Sequence, residues 1–179
     1  MLQYIINDLA DALEYLLYGL GIGAVAALLL VALNKGRLKR DRKPLRVFAP
    51  ACLAMYATVI LCITFLSREL GSRPRTVDLE LFATWGRTAK AHALVIENII
   101  LFVPFGYLLA WNAKWSRHFL PGFLAGGLVS LGIESMQLLT GRGYFQIDDV
   151  LTNTIGTLIG IGLWCLFHIW EHKKKDADV

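Results

Sequence analysis

Five stretches of roughly 20 nearly uncharged residues each leave this chain few ways to fold. They run from Leu13 to Leu33, Val47 to Leu66, Leu94 to Trp111, Phe119 to Leu139 and Ile147 to Trp170. At a helical rise of about 1.5 Å per residue each stretch reaches about 30 Å, the thickness of a bilayer's hydrocarbon core. Lipid offers no partner to a backbone amide, so such stretches fold as helices that satisfy their own hydrogen bonds. The expectation is an all-α, polytopic integral membrane bundle with about five transmembrane helices, forming a single domain over residues 1–179. Composition agrees. Hydrophobic residues make up 56% and charged residues 18% of the chain, against roughly 45–50% and 25% in soluble domains, which argues against a soluble enzyme.

The net charge of +4 is explained by loops rather than by a nucleic-acid partner. Lys35, Arg37, Lys39, Arg40, Arg42, Lys43 and Arg46 follow the first run, Lys114 and Arg117 follow the third, and Lys173, Lys174 and Lys175 follow the fifth. By the positive-inside rule these loops are cytoplasmic, so the chain is expected N-out and C-in. A polybasic patch for lipid or nucleic acid is the sharper reading of the first loop. Trp111 and Trp115 suit headgroup depth. Asp8, Asp11 and Glu14 precede the first run, unlike the basic start of a secretory signal, so that run is expected to remain as a span. The long connection Ser67–Ala93 carries Val77, Leu79, Leu81, Phe82 and Trp85 among polar residues, and part of it is expected to lie along the interface. Its periodicity leaves a strand-like start and a short helix both open. Cys52 and Cys62 lie about 15 Å apart along one helix, too far for a disulfide, and Cys165 sits in another run.

Polar residues inside apolar runs are costly, about 2.5–3.5 kcal/mol for a charge at mid-membrane, so they mark sites. Glu97 and Asn98 open the third run, which Pro104 interrupts, with Gly106 placed to relieve crowding. Ser130, Glu134 and Gln137 share a helix face at i, i+4 and i+7. Arg142 lies in the following turn, and Asp148, Asp149 and Asn153 open the fifth run. Asp149 and Asn153 share a face with Gly156 and Gly160, whose spacing lets a neighbouring helix approach and turns that face inward. Gly19 and Gly23 offer the same device in the first run. With Arg68, these polar residues all fall at the outer helix ends, so the expected site faces away from the cytoplasm. Arg142 or Arg68 suits a phosphate or carboxylate, and the acids suit hydroxyl or ammonium donors.

Glu97, Glu134 and Asp149 are the catalytic candidates, since paired carboxyls can share a proton or divide acid and base roles. No nucleophile accompanies them. Ser130, Thr140 and Thr152 have no histidine on their side except His92, in the long connection. No cofactor is expected, and no metal, although oxygen ligands for a divalent ion are present. His168, Glu171 and His172 spell a zinc-peptidase-like H-x-x-E-H, which is set aside because Trp170 and the histidines suit the inner interface and few residues remain to supply a third ligand.

ENIILFVPFGYLL (Glu97–Leu109), the Glu134 and Gln137 pair, and RGYFQIDDVLTNTIG (Arg142–Gly156) resemble the VanZ-like membrane proteins, named for resistance to the lipoglycopeptide teicoplanin. Thr64, Arg68 and VDLELF add weaker support. The resemblance covers most of the chain after the second helix. It implies a bundle in the cytoplasmic membrane with characteristic polar positions at Arg68, Glu97, Asn98, Glu134, Gln137, Arg142, Asp149 and Asn153. Gln146 stands where similar sequences often have an acid. The implied function is lowered susceptibility to lipoglycopeptides through a site for a lipid-linked or cell-envelope head group, with membrane lipids, a lipid-linked cell-wall precursor or a lipoglycopeptide as partners. A membrane enzyme that modifies such a lipid is one rival. A carrier is another, disfavoured because the inner halves of the helices are apolar. Oligomeric state is left open.

Overall fold

The computed structural model describes residues 2–40, 42–82 and 88–177, with side chains from Tyr15 to Trp170. It contains α1 (Leu2–Leu38), α2 (Phe48–Leu61), a π-helical turn (Cys62–Leu66), β1 (Val77–Asp78), α3 (Ala89–Asn112), a 3-10 turn (Lys114–Arg117), α4 (Phe119–Thr140), β2 (Phe145–Gln146) and α5 (Ile147–Ala177). Each of the five α-helical segments is long and apolar enough to cross a membrane, α2 with its π-helical turn included. Three helices overrun the boundaries set by hydropathy. Helix α1 reaches back past Asp8, Asp11 and Glu14, α5 continues past Trp170, and α3 starts at Ala89 because the Thr88 side chain caps it by accepting from the Ala91 amide at 3.1 Å. Hydropathy marks where lipid ends, whereas Lys, Glu and Ala are good helix formers that carry a helix into water.

Small residues set the closest contacts. A Cβ built on Gly19 would lie 2.7 Å from Val59 Cγ2, and one on Gly23 would lie 2.9 Å from Met55 Cβ, so α1 packs on α2 through this pair. Between α3 and α5 the backbones themselves meet: a Cβ on Gly156, Gly160 or Gly106 would fall on the carbonyl oxygen of Ile99, Val103 or Thr157 respectively. Gly106, two residues after Pro104, therefore admits α5. Gly126 brings α4 against the same Thr157, 2.8 Å from its Cβ. Helix α3 runs through Pro104 unbroken, and the Tyr56 hydroxyl donates to the Leu101 carbonyl at 2.8 Å, in the turn the proline disturbs. Ile60, Phe102, Phe105 and Ile133 form a core cluster between the helices. The outward surfaces are apolar, with Leu17 at 74% and Phe119 at 73% exposure, as lipid rather than water requires.

Alternation of the helices gives the bundle two unlike ends. At the polar end, where α4 stops and α3 and α5 start, residues from the long connection fold back over the bundle. Val77 pairs with Phe145 and Asp78 with Gln146 in a parallel two-stranded ribbon. The Gly71 amide donates to the Thr140 carbonyl at 3.1 Å and the Arg73 amide to the Gly141 carbonyl at 2.9 Å. The connection thus has a strand-like start, and Trp85 lies outside the described residues. At the basic end, Asn34 exchanges two hydrogen bonds with the Leu45 backbone, at 2.9 and 2.7 Å, tying the last turns of α1 to the loop just before α2.

Candidate functional site

Helix α4 ends because Gly141 adopts a left-handed conformation, φ 63°, and the Arg142 amide reaches back to the Gln137 carbonyl at 3.0 Å. That six-to-one bond closes the helix and swings the chain toward α2. Two of the sequence-derived site residues then serve α2. Gln137 Nε2 donates to the Thr64 carbonyl at 2.6 Å, and Arg142 Nη1 donates to the Phe65 carbonyl at 2.9 Å with its guanidinium 4.6 Å from the Phe65 ring. The π-helical turn, closed by the Ser67 amide on the Cys62 carbonyl at 2.8 Å, offers these carbonyls to side chains from elsewhere.

A second group gathers one turn deeper. Glu134, 2% exposed, accepts the Gln146 amide at 3.0 Å, which ties α4 to β2. Asn98 Nδ2 donates to Asp149 Oδ1 at 2.8 Å, joining α3 to α5. Asn153 Nδ2 donates to Ser130 Oγ at 2.8 Å, joining α5 to α4, and Ser130 is near the Asp149 carbonyl at 3.5 Å. The charge of Asp149 reaches Glu134, that of Asp148 reaches Asp149, and Arg68 acts on both Glu134 and Asp149. The two acids thus have like charge beside them and one shared cation. Asn153 Oδ1 and Arg142 Nε are buried without a hydrogen-bond partner among the described residues.

Asp148 is turned elsewhere. It accepts the Phe82 amide at 2.7 Å, and Phe82 takes a left-handed φ of 63° to present that amide. A bulky residue in this region costs on the order of 1–3 kcal/mol, and a charge-assisted hydrogen bond of about 1.5–3 kcal/mol offsets it. The contact holds the connection over the start of α5.

The arrangement brings together Asn98, Glu134, Asp149, Asn153 and Arg68, with Glu97 half-buried one position before Asn98 on α3. Gln137 and Arg142 form the adjoining cap of α2, and Asp148 anchors the connection. The guanidinium beside the acids is that of Arg68, while Arg142 is spent on Phe65. Sequence reasoning missed the backbone partners: the Gln146 and Phe82 amides and the Thr64 and Phe65 carbonyls. No side-chain chemistry advertises those, so only the turn after Gly141 hinted at them. Ser130 was noted as a hydroxyl without a base and is here a link between Asn153 and Asp149. No three His, Cys, Asp or Glu side chains converge on a point among the described residues. His168 stacks on Trp164 with ring centroids 3.8 Å apart, and the side chains of Glu171, His172 and Lys173 to Lys175 lie outside the described residues.

A family model described as VanZ/LLP1 matches residues 53–168, from within α2 to within α5. Protein VanZ of Enterococcus faecium is 29% identical over 136 residues, covering 73% of this chain and 81% of that protein. No solved structure matches.

Proposed function

The chain belongs to the VanZ/LLP1 family, and from that premise we propose that it is a multi-pass protein of the cytoplasmic membrane that lowers susceptibility to lipoglycopeptides such as teicoplanin. Its polar end faces outward and engages the head group of a lipid-linked or cell-envelope molecule. One observation carries this reading: the acid pair Glu134 and Asp149 sits beside Arg68 with the buried Asn153 Oδ1 still lacking a donor. Such a set offers acceptors to hydroxyl or ammonium groups and one guanidinium to a phosphate or carboxylate. Binding is favoured over catalysis because the hydroxyls by the acids are already engaged, Ser130 accepting from Asn153 and Thr152 donating to the Asp148 carbonyl.

Expression in a susceptible host is expected to lower sensitivity to teicoplanin, which carries an acyl chain, more than to vancomycin, which does not. Equal protection against both would point to altered cell-wall termini, and no protection at proven expression would remove the resistance reading. Orientation is tested separately with single cysteines in a background lacking the native three. Ser72→Cys, at the polar end, is expected to react with an impermeant thiol reagent on intact cells, and Lys39→Cys, at the basic end, is expected not to. The reverse pattern would turn the site to the cytoplasm.

A further inference from the structure

At the opposite end of the bundle from the acids, the start of α2, the end of α3, the 3-10 turn and α5 border an open recess of about 540 Å³. It is lined by Arg46, Lys114, Arg117, His168, Trp111 and Trp164 among others, and no carboxylate among the described side chains lines it. The volume lies within the roughly 300–1,000 Å³ of small-molecule sites.

The cations are held around the recess by the fold. Arg117 Nε donates to the Ala110 carbonyl at 2.8 Å, and its guanidinium lies 3.7 Å from the centre of the Trp164 ring. This fixes the plane of the fork and leaves its terminal nitrogens for another acceptor. His168 is stacked on the same tryptophan, and its Nδ1 is buried without a hydrogen-bond partner. Asn112 Nδ2 bonds the Ala49 carbonyl at 3.0 Å, which joins α3 to the start of α2, and the Asn34 clamp on Leu45 sets the approach to Arg46. Charges that only set topology need no shared cavity. Here three of them line one recess with an imidazole, Arg46 and Lys114 exposed at its rim and Arg117 half-buried, and a dianion or monoanion would offset their mutual repulsion.

We infer that this recess is a binding site for a phosphate-bearing anion, either the head group of an anionic phospholipid or free inorganic phosphate. Phosphate matches the guanidinium fork of Arg117, takes point charges from Arg46 and Lys114, and can accept a hydrogen bond from the imidazole. The tryptophans are placed where a glycerol backbone or a head group would rest.

The test uses the full chain purified in detergent and two probes. Native mass spectrometry with equimolar phosphatidylglycerol and phosphatidylcholine reads lipid preference, and tryptophan fluorescence during titration with inorganic phosphate reads the free anion. Each basic side chain near a membrane surface is worth roughly a five-fold change in affinity for anionic lipid, so Arg46→Gln with Lys114→Gln is expected to reduce the phosphatidylglycerol preference about 25-fold. Both side chains are exposed at the rim, so this variant keeps the packing around Arg117. Arg75→Gln, exposed at the polar end, is expected to leave the preference intact. A phosphate response lost in the double variant, without lipid preference, would uphold the site and identify its source as the free anion. The inference is overturned if neither probe binds selectively, if selectivity survives in the double variant, or if Arg75→Gln removes it equally.

Discussion

The two ends of the bundle handle charge in opposite ways. At the polar end, acids, amides and an arginine are drawn inward and spent on one another and on backbone groups, under a lid made by β1, β2 and Phe82. At the basic end, cations surround an open recess with no carboxylate among the described side chains of its wall. Interhelical hydrogen bonds in lipid average only about 0.6 kcal/mol and reach about 1.7 kcal/mol, so the polar links do not by themselves hold the helices together. What joins the ends is the backbone contact of α3 with α5 through Gly106, Gly156 and Gly160. The polar end thus depends on the spine for its alignment, and the basic end depends on it for the walls of its recess.

Breaking the spine should have the largest effect and should not distinguish the ends. Gly106→Leu forces a side chain onto the Thr157 carbonyl, and a loss of upwards of about 3 kcal/mol is expected. Fluorescence-detected size exclusion after a temperature ramp should show it, with Gly162→Leu unaffected because nothing lies within 4 Å of that position. Equal stability of the two variants would mean that the ends are joined by something other than this contact.

Glu134 separates the ends. Glu134→Ala leaves the Gln146 amide buried without its acceptor, at a cost of about 1–3 kcal/mol, and should abolish protection against teicoplanin while anionic-lipid binding at the other end persists. Glutamine can still accept that amide, so Glu134→Gln should keep protection if the residue only holds the network or a head group. A stably inserted but inactive Glu134→Gln protein would instead require a proton transfer or an ionised carboxylate there. The smallest change is expected at the middle, where Tyr56→Phe removes the hydroxyl from the Leu101 carbonyl. A loss of about 0.6–1.7 kcal/mol in melting experiments, with both ends functionally unchanged, would sharpen the separation.

Some of this was legible without coordinates. Uninterrupted apolar length dictated five spans, because lipid tolerates no unsatisfied backbone, and the small residues of α1 and α5 correctly marked close faces. That Ser130, Glu134 and Gln137 share one face followed from helical spacing, and all three are buried. The role of Gly106 was not legible, because the feature near it in the sequence is Pro104, two positions before, while its neighbour in space is Thr157.

Sequence by itself therefore determined the helix count, the faces that turn inward and the family to which the chain belongs, since each rests on local pattern or on residue identity. Only the tertiary structure decided which arginine stands by the acids and which caps α2, because Arg68 and Arg142 are chemically identical and differ only in where the chain carries them. The turn at Gly141 delivers Arg142 to the Phe65 carbonyl, and with that guanidinium on a backbone carbonyl, Arg68 is the cation that acts on both Glu134 and Asp149. The recess at the basic end was likewise invisible, because Arg46, Arg117 and His168 come from three separate segments that meet only when α2, α3 and α5 pack.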